Sequence, residues 1–319
     1  MNSTVFQMSV TPRIGLQPSD HEHLREFDPG IKVILAVLIT ESIITCVGNA
    51  LTIIVVCRDS ALRTMGNMHI TSLASADLIA GLTASFGVVW FINEHVGTFL
   101  STNKFCCLLW YILFFVSFAA SLFSMTLIAM DRWIFITYPL RYYIWITPLK
   151  TTFFIGSAWI AAMLFGLLSI AFNTFDTVAV CCTQAATSQA YLTYGIGIIL
   201  FGSCAISFVF YFKIFLIAKK QKCSIAQSAI GDRVKYRSSY KQIKIMFLIC
   251  CISLFCWIPF YIENLPHVPA ISYEASNLTM CLALLNSCAN FFLYSAKNAA
   301  FRKSFLKLLP RFQHRVDGT

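Results

Sequence analysis

The 319-residue sequence has few charged side chains. Lys, Arg, Asp and Glu together make up 12% of it, while 58% of the residues are hydrophobic. A soluble globular domain carries roughly 25% charged residues. A chain this poor in charge has too little polar surface to cover a water-exposed globule of its size. The composition therefore excludes an ordinary soluble protein and indicates one membrane-embedded unit.

The few charges are unevenly spread, and they leave seven long stretches almost free of Lys, Arg, Asp and Glu. A helix needs ~20 apolar residues to cross a bilayer, which is about the length of each stretch. The alternation of period two that a transmembrane β-barrel requires is absent. The sequence therefore predicts an all-α membrane protein, a seven-transmembrane helix bundle. The predicted spans are roughly 33–57, 68–92, 105–130, 151–175, 190–212, 245–262 and 275–296.

The basic residues predict how this bundle is oriented. The loops after the first, third and fifth spans and the C-terminal tail share one side, and all but four of the 24 Lys and Arg residues fall there. The positive-inside rule makes that side cytoplasmic, where it faces anionic membrane lipid. We therefore expect a multi-pass plasma-membrane protein with its N-terminus outside. Its parts are an extracellular tail over residues 1–32, a bundle over 33–297 and a cytoplasmic segment over 298–319.

The residue clusters that catalysis and metal binding require are missing from the sequence. Its 6 histidines lie in tails, loops or span ends, and no two have metal-ligand spacing on one helix. No second aspartate in a neighbouring span partners Asp77 as in an intramembrane protease, and there is no glycine-rich phosphate loop. We therefore expect neither an enzyme nor a nucleic-acid-binding protein. A transporter is the alternative from another class, although seven spans without an internal repeat do not favour it.

Two kinds of feature mark the predicted outer face. The sequon NST predicts glycosylation of Asn2. Of the 13 cysteines, two adjacent pairs lie at this oxidising face, Cys106 with Cys107 and Cys181 with Cys182. A disulfide between the pairs would tie the loop that joins the fourth and fifth spans to the start of the third. The residues alone leave the pairing open.

Asp77 lies in the middle of the second span, where an ionisable group is expensive and by default marks a functional site. A carboxylate among hydroxyl and amide oxygens suits a hard monovalent cation. The same groups form a hydrogen-bonded cluster without any ion equally well, and both interpretations stay open. The polar residues at similar depth in other spans are Asn49, Ser121, Ser124, Asn286, Ser287 and Asn290.

Short motifs follow one another in six of the spans. GNALTIIVV and LASADLIAGL occur in the first two, and SLFSMTLIAMDRWIFITYPLRY ends the third, with Trp133 where tyrosine is usual. Trp159 lies in the fourth, FCWIPFY in the sixth and LNSCANFFLYSAKNAAFRKSF in the seventh. In order and spacing these motifs resemble those of the rhodopsin-like (class A) G-protein-coupled receptors. The resemblance implies a seven-helix bundle with a short amphipathic eighth helix.

The family resemblance also implies how such a receptor works. It would couple an extracellular small-molecule ligand to heterotrimeric G proteins. Arg132 would be held by Asp131 at rest and released on activation toward the fifth helix and the G protein. The residues implied in coupling and activation are Asp131, Arg132, Pro139, Leu140, Tyr211 and Tyr294.

Two further sites come with the resemblance. One is an allosteric sodium site formed by Asp77, Ser121, Asn286 and Asn290, the only cofactor we expect. The other is a disulfide in which Cys107 pairs with Cys181 or Cys182.

The ligand site is less familiar. Loop phrases such as LRYYIWITPLK loosely resemble the biogenic-amine receptors, but Phe114 stands where those receptors carry the aspartate that pairs with an ammonium group. An aromatic cavity suits a cation or an apolar ligand, and the same rings could simply pack between helices. A retinal pigment is disfavoured because no lysine precedes Lys297 in the seventh span. The predicted ligand-binding residues are Trp110, Phe114, Phe115, Trp257, Phe260, Tyr261 and Glu263.

Several positions depart from the family pattern. Phe291 and Ser203 replace prolines, which restores a backbone donor and removes a kink in each helix. Serine or leucine stands at three further positions where the family has an acid or a bulky core residue, namely Leu122, Ser239 and Ser253. A divergent orphan receptor without productive coupling is therefore the first alternative.

Overall fold

The computed structural model describes residues 29–92, 94–173, 175–178, 181, 186–225, 230–269, 271–297 and 299–308. The predicted glycosylation residue Asn2 and the cysteine Cys182 lie outside these ranges. The described part of the chain is almost wholly helical and contains no strand.

Seven long helices follow one another along the chain. We number them α1 (Pro29–Arg58), α2 (Met65–Ile92), α3 (Lys104–Thr137), α4 (Pro148–Ala171), α5 (Ile196–Ile225), α6 (Ile230–Glu263) and α7 (Tyr273–Lys297). A shorter α8 (Ala299–Leu308) comes after them. A π-helical turn, Tyr191–Gly195, leads into α5. The short helices in the connections are Ser60–Leu62, Glu94–Thr102, Tyr142–Trp145 and Phe175–Val178.

The long helices pack into one bundle with α3 at its centre. α3 contacts α2, α4, α5 and α6, and α7 closes the ring by packing against both α6 and α1. In the most apolar window of α3, 67% of the residues are buried, compared with 11% in α1. The central helix is thus hydrophobic on all sides because other helices surround it, whereas α1 presents its apolar residues outward. The seven-transmembrane bundle predicted from the sequence is confirmed.

The helices and the charge-poor stretches do not share their ends. Five of the described helices, α1 to α5, are long and apolar enough to cross a membrane by length and composition, and α6 has a shorter apolar segment, Phe247–Glu263. The helices α5 and α6 are longer than the predicted spans 190–212 and 245–262, because α5 continues to Ile225 and α6 begins at Ile230. Charged residues end a membrane-crossing segment, but they do not end a helix.

Local signals in the sequence set the ends of α3 and α4. The side chain of Asn103 accepts a hydrogen bond from the Cys106 amide and caps α3. Thr147 caps α4 in the same way, and Pro148 occupies the first turn, where its missing N–H costs nothing. Pro139 follows soon after the last residue of α3, as expected of a residue that cannot continue a helix.

α7 runs unbroken through Phe291, as the replacement of proline predicts. The Phe291 ring lies against Gly48 of α1, where a Cβ atom would come within 2.5 Å of the ring. Glycine is therefore needed at this contact, because Gly48 touches the ring atoms nearest the Phe291 backbone, and these cannot move aside. α6, in contrast, keeps an internal proline, Pro259.

Candidate functional site

Three groups of residues form the candidate sites, and they lie at different depths in the bundle. We call the end at which α3 begins the outer end and the end at which α3 finishes the inner end. An aromatic cluster occupies the outer half, a buried aspartate the middle and an acid–base pair the inner end. The first two groups draw their side chains from several helices, so packing brings them together, whereas Asp131 and Arg132 are neighbours on α3.

The aromatic cluster centres on Phe114 of α3. Its ring is stacked on Trp110 at 5.9 Å between centroids and tilted against Trp257 and Phe260 of α6 at 5.8 and 5.6 Å. Phe115 lies beside it at 5.4 Å and is fully buried. Five of the seven predicted ligand-binding residues therefore come together. Because Phe114 contacts Trp257 directly, nothing of ligand size fits between these two rings in this arrangement.

Two of the predicted ligand-binding residues lie apart from this cluster. Tyr261 packs against Phe201 of α5, with 5.2 Å between the ring centroids. Glu263, the last residue of α6, accepts hydrogen bonds from the hydroxyl groups of Thr279 and Ser276 on α7, at 2.6 and 3.2 Å. The carboxylate thus joins the outer ends of α6 and α7. Sequence spacing placed Glu263 two turns beyond Trp257 but did not reveal these partners.

The middle group surrounds Asp77 of α2, which is completely buried. One carboxylate oxygen accepts hydrogen bonds from the hydroxyl groups of Ser121 and Ser287, at 3.2 and 2.8 Å. The other accepts from the side-chain amide of Asn290 at 2.8 Å. These contacts join α2 to α3 and α7.

One member of the predicted sodium set has a different partner. The side-chain oxygen of Asn286 accepts a hydrogen bond from Ser253 of α6, at 2.7 Å. Ser287, which the implied set omitted, binds Asp77 instead. The two neighbours on α7 point to different helices, and no sequence signal separates their roles, since both are small polar residues in one motif.

The Asp77 group fits a sodium ion by its chemistry. Asp77 supplies a carboxylate, and Ser121 and Ser287 supply hydroxyl oxygens that keep lone pairs while their protons point to Asp77. Within the described ranges, none of the ion pairs involves Asp77. A buried carboxylate without a basic partner is costly, and a bound cation would offset that cost. Hard oxygen ligands are those that hard cations prefer.

The acid–base pair at the inner end has the geometry that the family resemblance implies for the resting receptor. The guanidinium of Arg132 lies 2.9 Å from a carboxylate oxygen of Asp131, which is itself buried. The other oxygen accepts a hydrogen bond from the Tyr142 hydroxyl at 2.6 Å. Burial and the bond to Asp131 raise the pKa of this tyrosine, so it stays a donor at neutral pH. The Asp131 carboxylate thus has a partner on each oxygen.

Two residues near this pair were not among the predicted site residues. Gly66 lies against Arg132, and a Cβ atom there would come within 1.6 Å of the guanidinium. Trp133 packs on Phe210 of α5 at 5.4 Å and carries Lys213 over its ring at 5.0 Å. The glycine leaves room for Arg132 on the α2 side, while the tryptophan anchors the end of α3 to α5.

The other residues implied in coupling are distributed around the inner end. Leu140 is 92% exposed, and Pro139 beside it is also exposed. Tyr211 is buried on α5 among apolar neighbours, with its ring 6.2 Å from Phe247. Tyr294 lies on α7, but its side chain is outside the described part of the structure. Exposure of Leu140 at a loop is compatible with docking of a partner.

A disulfide joins Cys107 of α3 to Cys181. Beside it, the Cys181 amide donates to the backbone oxygen of Ser101 at 2.9 Å. Cys181 is therefore fixed at the outer end by one covalent and one hydrogen bond. Cys106 is a free cysteine, so of the partners left open by the sequence Cys107 and Cys181 are the ones used.

A helical bundle with a polar centre, an aromatic outer half and an ion-paired arginine at its inner end is the architecture of a membrane receptor. The chain belongs to the 7 transmembrane receptor (rhodopsin family), whose family model matches residues 48–294. It is a multi-pass plasma-membrane protein and a cell-surface receptor. Membership of this receptor family does not favour the transporter alternative, and receptors of this family are generally not enzymes.

Individual relatives resemble the chain over most of its length. Adenosine receptor A2b from Mus musculus is 29% identical over 294 residues, which cover 83% of this chain and 86% of the relative. Somatostatin receptor type 5 from Rattus norvegicus is 27% identical over 275 residues, which cover 82% of this chain and 73% of the relative. The loose resemblance to amine receptors in the loops stays a prediction.

Proposed function

We propose that this receptor couples a small extracellular ligand without an obligatory positive charge to heterotrimeric G proteins. The ring of Phe114 against Trp257 is the observation that carries the ligand part of the proposal. The pair of Arg132 and Asp131 supports the coupling part. The outer end of the bundle faces the extracellular side in this proposal, with residues 1–32 as an outer tail and residues 298–319 inside.

The aromatic cluster favours an apolar or aromatic ligand. Aromatic rings gain roughly 0.5–1.5 kcal/mol per favourable pair beyond their buried area. A flat ligand seated on the outer side of Trp110 and Phe114 would gain such contacts. Among the relatives, one is named for adenosine and the other for somatostatin, so the family accepts both small molecules and peptides. We favour the small molecule because the cluster offers ring faces, while the carboxylate of Glu263 lies apart from it at the outer end of α6.

The inner end supports coupling to a G protein. Arg132 is held by a single salt bridge and is 23% exposed, so a partner at the inner end can reach it. Leu140 offers an exposed apolar side chain on the adjacent loop. An arginine that exchanges one buried carboxylate for a new partner is a two-state element, as a receptor switch requires.

Substitution of Arg132 by alanine tests the coupling proposal. We expect the Arg132→Ala variant to lose second-messenger responses per receptor at the cell surface, because the group that meets the G protein is gone. Arg58→Ala is the matched control, since Arg58 is an exposed arginine at the inner end of α1. Full signalling by Arg132→Ala at normal surface density would refute the assigned role of Arg132. Loss in both variants would show that the effect is not specific to Arg132.

We also propose that sodium binds at Asp77 as an allosteric ion. The ion would be held by Asp77, Ser121, Ser287 and Asn290. Asn286 of α7 would support the site indirectly, through its hydrogen bond to Ser253 of α6. The ion would supply the positive charge that the described neighbours of Asp77 lack. Its binding would favour the arrangement in which α2, α3 and α7 are drawn together.

A further inference from the structure

Ser253 of α6 occupies a position where the family often has a bulky aromatic side chain. It is completely buried and lies between α3 and α7. Its hydroxyl oxygen is 2.7 Å from the side-chain oxygen of Asn286 on α7 and 3.1 Å from the sulfur of Met125 on α3. A small polar group thus joins three helices where an aromatic ring would only fill space.

The bond between Ser253 and Asn286 competes with a local one. The hydroxyl is also 2.9 Å from the carbonyl oxygen of Ile249, one turn earlier in α6. A serine hydroxyl has a single proton to donate, so it serves one acceptor at a time. Asn286 is the nearer acceptor and is 1% exposed. Without Ser253, its oxygen would lose a partner inside the bundle, and a buried acceptor without a hydrogen bond is costly.

The place of Ser253 along α6 gives this bond its consequence. Pro259 lies six residues further toward the outer end of the helix. A proline removes one backbone hydrogen bond and is the usual site of a helix bend. Ser253 is on the inner side of that weak point, so a bend at Pro259 would move the segment that carries it. Its bond to α7 holds this segment in the arrangement where Arg132 is still paired with Asp131.

We propose that Ser253 is a positioning residue that holds α6 to Asn286 of α7 and thereby sets the basal activity of the receptor. Since α7 also binds Asp77 through Ser287 and Asn290, the bond connects α6 to the aspartate site. Opening of the inner end must break it. Its loss therefore shifts the resting equilibrium toward the open form. The link to activity rests on the proposed G-protein coupling, whereas the link to the position of α6 does not.

Two measurements on the full-length receptor test this proposal. Hydrogen exchange of the inner half of α6 reports its opening without any G protein, and basal G-protein activation per receptor reports signalling. The variant Ser253→Ala removes the hydroxyl with little change in volume. We expect exchange in inner α6 and basal activation to rise about two- to tenfold, the factor that corresponds to one net hydrogen bond.

Ser72→Ala is the matched control. Ser72 is a buried hydroxyl of α2 that bonds to Ser124 of α3 and Trp159 of α4, so its contacts lie away from α6. We expect this variant to leave both readouts unchanged. Wild-type exchange in Ser253→Ala, or an equal rise in Ser72→Ala, would overturn the proposal. Raised exchange without raised basal activation would support the role of Ser253 and contradict the G-protein coupling.

A double-mutant cycle separates the bond from a general loosening of the core. In the background of Asn286→Ala, the partner oxygen is already absent. Adding Ser253→Ala should then change exchange in inner α6 by much less than it does in the wild type. Effects that simply add would show that the two residues act independently, which would overturn the proposal.

Discussion

At the scale of single residues, this receptor differs from the family pattern where small changes have large consequences. Phe114 puts a ring where the amine receptors carry an acid, and this ring is part of an aromatic cluster. Ser253 makes the opposite change, putting a hydroxyl where a ring is common. Relative to those patterns, the outer aromatic cluster is less polar and the middle of the bundle is more polar.

The Asp77→Asn variant tests the sodium site. The purified wild-type receptor should melt at a higher temperature in sodium chloride than in choline chloride, because an ion that binds only the folded state stabilises it. A sodium concentration of about ten times its dissociation constant corresponds to roughly 1.4 kcal/mol. Asparagine keeps the size of the side chain and removes its charge, so the difference should vanish in the variant. An equal sodium effect in both proteins would contradict an ion at Asp77.

The Glu263→Gln variant tests the ligand's charge. Glutamine keeps an acceptor for the hydroxyl groups of Ser276 and Thr279, so the contact between α6 and α7 is preserved. A cationic agonist should lose roughly tenfold to a hundredfold in potency, the cost of one charge-assisted contact. A neutral agonist should be unaffected in a dose–response measurement.

A different result in that measurement would locate the site elsewhere. Potent activation by a simple amine that survives Glu263→Gln would show that the cation does not use this carboxylate. Thr279→Val serves as the control, since it removes a hydrogen bond to Glu263 and leaves its charge.

At the scale of elements, α8 is fixed by one aspartate in the connection after α1. Asp59 caps the short helix Ser60–Leu62 through the Ala61 amide and accepts a hydrogen bond from Ser304 of α8. Lys307 lies 3.7 Å from the same carboxylate. The amphipathic α8 is therefore attached to the end of α1 by polar contacts, in addition to its buried Phe301.

Asp59 makes this attachment depend on pH only in acid. The hydrogen bond from Ser304, followed by that from Ala61, lowers the pKa of Asp59 below 3.8. A carboxyl whose pKa is lower in the docked state stabilises that state above its unperturbed pKa and loses the effect as pH falls through the lowered value. The exchange rate of the α8 amides, after division by the intrinsic exchange rate at each pH, should therefore stay constant between about pH 5 and 8.

The substitution Asp59→Ala should raise exchange in α8 at neutral pH, because α8 loses the hydrogen bond from Ser304 and the ion pair of Lys307 together. The control is Lys303→Ala, which removes another exposed basic side chain of α8. Equal exchange in the wild type and Asp59→Ala would show that apolar contacts alone hold α8.

At the scale of the whole molecule, the disulfide fixes the outer end. Cys107 and Cys181 are 74 residues apart in sequence, so their bond closes a long loop across α3 and α4. Cys107→Ser should lower the free energy of unfolding by roughly 2–4 kcal/mol and reduce the melting temperature of the purified receptor. Cys106→Ser should leave it unchanged, and an equal loss in the two variants would contradict the pairing.

The sequence by itself determined the fold class, the number of spans and the motif positions. Hydropathy and charge act residue by residue, so the seven stretches, the basic side and the position of Asp77 can all be read along the chain. Motif spacing was sufficient to pair Asp131 with Arg132, since the two are neighbours. The helix ends of α5 and α6 could not be predicted, because a helix continues beyond the membrane when its residues allow it.

Only the tertiary structure decided which side chains meet. Ser287 rather than Asn286 reaches Asp77, and Asn286 turns to Ser253, although all three α7 positions near the site are small and polar. The aromatic residues of α3 and α6 could have lined a cavity, yet Phe114 packs directly on Trp257. Such partners depend on the rotation and crossing angle of each helix. Those are fixed by packing over the whole bundle, and no short stretch of sequence contains them.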